Sequence, residues 1–343
     1  MAARRVAASL AVWAVAGVAL AALPFLLSLF QVVQLTVFMI FCLLALSLDL
    51  IWGFGGILSF GQAAFFGVGG YAYGVIGINS GRTALAVVAA VVAAALLAAL
   101  LGYFTFYGRV GAMYFAVITL TVTLILHQVM GSTADPRYAV GAARLGGYNG
   151  MTNIPSLALE LPGRPSIVLE PVPLFYAVGA TLLLIVALCR ALVRSSFGRV
   201  LRAIREDERR TELLGYDIRW RKLLTFVISG GIAGLAGGLF AGWGNFVNPQ
   251  VFSLSQSALV VIWVMVGGRG TLYGAVAGTL VVQFLTNYLG AASVTYTTVL
   301  LGVALVLIVL LFPRGLVPSL GLAARRLALG LAQAPPAEDS GPA

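Results

Sequence analysis

A single lysine, a single histidine and two cysteines occur in a chain of 343 residues, of which only 9% are charged. Each shortage excludes something. The lone lysine, Lys222, stands between Arg221 and Leu223, so the chain cannot form the G-x-x-x-x-G-K-[ST] loop that cradles nucleotide phosphates. Any ATP-driven work belongs to another polypeptide. His127, Cys42 and Cys189 show no metal-ligand spacing, and both cysteines sit inside apolar runs as free thiols would. No catalytic residue, metal site or resident cofactor is expected. Eleven acidic residues against 21 basic ones leave a net charge of +10. In a soluble protein that surplus would suggest nucleic acid, but here the arginines sit at the ends of apolar runs and form no basic face.

Apolar residues are what the chain has in plenty, at 61%, with a mean hydropathy of +1.02. Soluble domains carry roughly 45–50%. The composition is that of a polytopic membrane protein, an all-α transmembrane helical bundle. Apolar runs over residues 6–30, 32–52, 63–78, 83–107, 111–130, 174–192, 223–244, 257–266, 272–289 and 294–312 give about ten spans. Some must be broken or re-entrant, since 257–266 is too short for a hydrocarbon core of ~30 Å. The first run contains Pro24, a kink point, and Ala19-Leu20-Ala21 could be a leader cleavage site. Its length exceeds a leader core, which favours a retained helix.

An even count places both termini on one side. Arg4, Arg5, Arg109, Arg190, Arg269, Arg314, Arg325 and Arg326 fall on that side, against Arg82, Arg137, Arg144 and Arg164 on the other. The positive-inside rule makes the richer side cytoplasmic. Residues 131–173, with Pro136, Pro155, Pro162, Pro165 and Pro171 opposing long helices, then form an external loop. The Pro-rich end after Pro335 should be disordered.

One stretch breaks the apolar pattern. Residues 194–222 read as a single polar helix in water on the cytoplasmic side, with an apolar stripe of Val200, Leu201, Ile204, Leu213 and Leu214. Glu206 and Arg210 stand at the i,i+4 spacing, and Gly215 is placed to end the helix in the left-handed conformation. Its mixed charge suits a protein groove better than anionic lipid. A second feature is the cluster of glycines around residues 53–61, which disfavours a continuous helix. Either the break exposes backbone to a solute, or small residues pack closely. Glycines at 230, 234, 238 and 242, and at 270, 274 and 278, read as packing ridges, within the chain or between subunits. Asp49, an ionisable group inside a span, is a candidate for function by default, or else a cap on the break. His127 reads as a hydrogen-bonded structural residue.

Ser47-Leu48-Asp49-Leu50, Gly53, Gly56 and the run Leu58 to Tyr71 resemble the signature of the branched-chain amino acid permeases of bacterial ABC importers. Residues 198–215 resemble that family's cytoplasmic coupling loop. Lys222 through Gly238, Asn248-Pro249, Gly267-Gly268-Arg269-Gly270-Thr271 and Gly146 through Pro155 are similar to further blocks. The resemblance spans about residues 36–318. Aspartate at 49 and glutamine at 62 depart from many members, and residues 49–53 also resemble the urea and short-chain amide branch.

The resemblance implies a permease domain over residues 1–318, with a coupling loop at 194–222, a periplasmic loop at 131–173 and a cytoplasmic tail at 319–343. It implies a second homologous permease, two cytoplasmic ATP-binding subunits that hold ATP and magnesium, and a periplasmic binding protein, in a bacterial inner membrane. ATPase coupling would fall to Arg199, Arg202, Arg205, Glu206, Glu208, Arg209, Glu212 and Gly215. The substrate pathway would involve Asp49, Ser59, Gln62, Phe65, Tyr71, Asn149 and Asn248. Beyond lipid, no other partner class is implied. An ion-coupled carrier using Asp49, or a non-transporting scaffold, are the readings from other classes.

Overall fold

The computed structural model describes residues 2–160, 167–291, 302–303, 306–307, 310–311 and 315–319. Its helices are Ala2–Leu26 (α1), Leu29–Leu48 (α2), Gln62–Ser80 (α3), Thr83–Tyr107 (α4), Ala112–Gly131 (α5) and Val172–Arg194 (α6). They continue with Ser196–Glu206 (α7), Glu208–Leu213 (α8), Ile218–Gly244 (α9), Leu254–Gly267 (α10) and Leu272–Ala291 (α11). Among the described residues, six helices are long and apolar enough to cross a membrane, and α10 is a shorter apolar helix. Most of the expected span at 294–312, and all but the first residue of the tail 319–343, lie outside the described residues.

Local chemistry sets the boundaries. α1 runs through Pro24 and stops at Leu26. Ser28 and Gln31 then form a reciprocal capping box that starts α2. α2 passes directly into a π-turn, Asp49–Phe54, after which residues 55–61 are not helical and α3 begins at Gln62. The glycine-rich stretch is therefore a true helix break, though it starts later than the first glycine. The α9–α10 connection, residues 245–253, is also irregular, with a 3-10 turn at Pro249–Phe252 seated against α3 and α5.

The bundle is built around α9, which lies against α3 and α4. Gly230 and Gly238 face Ala98 and Ala90 on α4, where an added Cβ would come within 2.5 and 2.8 Å. At Gly234 and Gly237 a Cβ would overlap Ala94 of α4 and the carbonyl of Phe66 in α3. This ridge packs within the chain. Gly274 and Gly278 do the same between α11 and α10, whereas Gly270 lies in the α10–α11 turn with φ +78°. The all-α reading describes the bundle; the loop after α5 adds the two-residue strands Ala139–Val140 (β1), Ala143–Arg144 (β2), Ala158–Leu159 (β3) and Ile167–Val168 (β4). β1 pairs with β2 and β3 with β4, both antiparallel.

The polar stretch is two helices, not the one expected. Asp207 is extended (φ −153°), and its carboxylate accepts the Arg210 N–H at 2.9 Å, capping α8 and ending α7. This break parts the supposed stripe. Leu201 and Ile204 are buried, while Leu213 and Leu214 are 82% and 70% exposed. Glu206 pairs with Arg205 at 2.9 Å and not with Arg210, because the break removes the helical spacing. Gly215, at φ +86°, follows the end of α8.

Candidate functional site

α7 lies across the break between α2 and α3. The π-turn leaves the carbonyl of Gly53 pointing out of the helix end, where such groups need an external donor. Arg205 supplies it: Nη1 donates to that carbonyl at 2.6 Å, and Nη2 donates to Glu206 at 2.9 Å. The aliphatic stem of Arg205 covers Gly56, whose φ of +75° and lack of a side chain make room for it. Asp49, at the other end of the π-turn, is buried, and its Oδ1 accepts the Gly270 N–H at 2.7 Å. Arg269 places its guanidinium 5.3 Å from the Trp52 ring centre.

One polar junction thus ties three elements together: α7, the π-turn and the α10–α11 turn. Gly53 sits at its centre, where a Cβ would overlap Asp49 Oδ1 and lie 2.5 Å from Gly270 N. Trp52, Arg269 and Gly270 were not foreseen as parts of the site. The Gly268-Arg269-Gly270 sequence, an arginine between two glycines inside an apolar region, is the signal that could have found them.

The remaining coupling candidates face outward. Arg199, Arg202, Glu206, Glu208, Arg209, Glu212 and Gly215 are all exposed on α7, α8 and the bend after them. Arg202 leans back toward the carbonyls of Gly198 and Val193, both at 3.4 Å. Glu208 pairs with Lys222 at 2.6 Å, clamping α8 to the start of α9. The face is therefore mixed in charge, with Leu213 and Leu214 exposed beside it.

The pathway candidates do not converge on one place. Gln62 is buried in a closed polar network: it accepts from Ser47 Oγ at 2.9 Å and donates to Ser229 Oγ at 3.0 Å, and Ser229 donates to the Ser47 carbonyl at 2.6 Å. This network joins α2, α3 and α9; Gln62 was a candidate from the sequence, whereas its partners Ser47 and Ser229 left no trace there beyond being hydroxyls within apolar runs. Ser59 is buried and accepts the Gly61 N–H at 3.1 Å. Phe65 packs edge-on against Phe226. Tyr71 stacks on Phe252 at 5.9 Å, with its hydroxyl buried and unpaired. Asn149 is exposed in the loop after α5. Asn248 lines a cavity of about 360 Å³ between α2, α3, α9 and the α9–α10 connection. His127 lies edge-on to Tyr148, and its buried Nε2 has no hydrogen-bond partner among the described residues. Cys42 and Cys189 are free and buried, and no group of three or more possible metal ligands occurs among the described residues.

Residues 31–310 match the family model described as branched-chain amino acid transport system / permease component. Over 317 residues the chain is 29% identical to the high-affinity branched-chain amino acid transport system permease protein LivM of Escherichia coli K12, covering 86% of this chain and 72% of that one. LivM of Salmonella typhimurium is 29% identical over 316 residues, with the same coverage. A probable branched-chain amino acid transport permease protein LivH of Methanocaldococcus jannaschii is 25% identical over 210 residues, 58% of this chain and 62% of its own. No solved structure matches the chain significantly. With more than half its length matched by that model, on a bundle of membrane-length helices, the chain is a multi-pass membrane protein that belongs to the branched-chain amino acid transport permease family.

Proposed function

We propose that this chain is the membrane-spanning subunit of an ATP-driven, binding-protein-dependent importer of branched-chain amino acids in a bacterial cytoplasmic membrane. Two ATP-binding subunits on the cytoplasmic side would dock on the exposed face of α7 and α8, and a periplasmic binding protein would deliver the solute. Resemblance to relatives named LivM and LivH supports pairing with a second, related permease.

The observation that carries this reading is the junction. Arg205 links α7 to the Gly53 carbonyl, and Asp49 links the same π-turn to Gly270. A push on α7 therefore reaches the α2–α3 break and the α10–α11 turn together. An element that passes motion must connect rigid bodies through a few directed bonds, and this one does. Motion at these breaks would switch the pathway between its outward and inward openings.

Reversing two exposed charges, Arg199→Glu with Arg209→Glu, tests the docking. Radiolabelled leucine uptake should fall at least about tenfold, the size of a lost coupling energy near 1.4 kcal/mol. The protein should still reach the membrane, and the ATPase should no longer co-purify. Unchanged uptake refutes the docking face. One observation favours a second reading: Asp49 Oδ2 is buried without a partner among the described residues, as the carboxylate of an ion-coupled carrier would be. That reading requires uptake to stop when an uncoupler dissipates the proton gradient while ATP is maintained.

A further inference from the structure

Several cavities of comparable size open on the described bundle. One of about 270 Å³, between α4, α6 and α9, is lined by apolar residues alone, and three others differ in their linings. The one between α3 and α5, about 400 Å³, is lined by Val68, Ala89, Leu126 and other apolar groups, with the Tyr71 hydroxyl as its lone side-chain donor. It offers nothing to hold a polar head. The one beside α8, about 250 Å³, is lined by Arg109, Glu208, Glu212, Arg219 and Lys222, and lies on the face already assigned to docking. The third, about 360 Å³, is of mixed character.

Its floor is aromatic. Phe66 and Phe240 are 5.3 Å apart, Phe41 stands 5.9 Å from Phe240, and Trp243 lies 5.9 Å beyond Phe240. Its rim carries side-chain amides from Asn248, Gln250 and Gln256, and among the described residues no ionisable side chain lines it. Among the described residues the buried Gln256 Nε2 has no hydrogen-bond partner, so a donor waits there for an acceptor. Irregular backbone, the α9–α10 connection, forms one wall, and it is held to the loop after α5 through the pairing of Val247 with Met151. Phe41 lies about midway along the span from Leu29 to Phe54, so the floor sits near the middle of the bundle.

We propose that this cavity is the station at which the permease holds its solute in transit. It would take a small amino acid whose uncharged aliphatic side chain rests on the aromatic floor and whose carboxylate meets the amide donors of the rim. The inference rests on the importer reading above and adds the site and its selectivity. Aromatic faces bury an aliphatic group with little strain, and a lining without charge leaves a lysine or glutamate side chain desolvated and unpaired, which disfavours it. Specificity then has a component in the permease besides that of the delivering protein.

Gly244 gives the test. It lines the cavity, and a Cβ built on it meets nothing within 4 Å, at a backbone conformation that ordinary residues adopt. Gly244→Leu therefore adds a bulky side chain at the cavity's edge without displacing the bundle. In cells expressing the full importer, this variant should lower the maximal rate for L-leucine at least tenfold and reduce the leucine-to-valine rate ratio at least threefold. In membranes holding the same complex, Gly244→Cys should react with a maleimide more slowly when L-leucine is present, and L-lysine should leave the rate unchanged. Wild-type leucine rates in Gly244→Leu, or a Gly244→Cys labelling rate that leucine does not alter in a complex that imports it, overturn the site while leaving the importer intact. A wild-type complex that moves no branched-chain amino acid overturns the functional reading itself, and this ligand with it.

Discussion

Arg205 and Asp49 each hold a backbone group that would otherwise be buried without a partner, and this makes the two side chains separable by mutation. Arg205→Ala strands the Gly53 carbonyl at a cost of about 1–3 kcal/mol. Because that carbonyl is the only hydrogen-bonded tie seen from α7 to the π-turn among the described residues, uptake should fall by about tenfold or more on the same scale. Lysine at 205 keeps the charge but lacks the fork that reaches Gly53 and Glu206 together, so it should rescue only part of the rate. Asp49 divides the two transport readings. Asn keeps the oxygen that accepts from Gly270, so in an ATP-driven importer Asp49→Asn should transport within about threefold of the wild type, the effect of weakening one charge-assisted bond. Asp49→Ala, which loses the acceptor, should be far slower. Abolished uptake in Asp49→Asn with normal membrane levels of protein would favour the ion-coupled carrier instead. Initial-rate uptake with immunoblotted membranes reads both pairs.

At the scale of helices, small residues set the geometry. Gly234 and Gly237 let α9 approach α4 and α3 so closely that a Cβ has no place. Gly234→Val should destabilise the purified protein by about 1–3 kcal/mol, the usual cost of overpacking, and lower its melting temperature in detergent. Gly290→Ala, where nothing lies within 4 Å, should leave that temperature unchanged. The glycine spacing was legible in the sequence because a four-residue repeat fixes one face of a helix whatever surrounds it. The helix break was legible for a similar reason, since clustered glycines weaken a helix locally. Where the polar stretch of residues 194–222 bends was not. Asp207 can cap a helix or sit inside one, and its contact with the Arg210 N–H decides for the cap. The junction was hidden too, because Gly270 lies far along the chain from Asp49 and no local pattern announces a bond between them. Gln62 was singled out from its place in a motif, but which hydroxyls surround it depends on how α2, α3 and α9 come together.

For the whole molecule, the decisive matter is which end of the bundle meets the nucleotide. In the orientation we propose from the arginine bias, α7 and α8 face the cytoplasm and the loop carrying β1 to β4 lies outside. The chain is well suited to a direct trial, because its two cysteines are buried and should be slow to react with a charged thiol reagent. Leu213→Cys introduces a thiol at a position 82% exposed beside the proposed docking face, and Asn149→Cys introduces one in the exposed loop. A membrane-impermeant maleimide should label Asn149→Cys in intact spheroplasts and Leu213→Cys only in inside-out vesicles. Adding the ATP-binding subunits to those vesicles should then protect Leu213→Cys, since a groove that receives α7 and α8 covers the adjacent apolar pair. Labelling of Leu213→Cys from the outside would separate the docking face from every source of ATP. No coupling through Arg205 could then operate, however well its bond to Gly53 is formed.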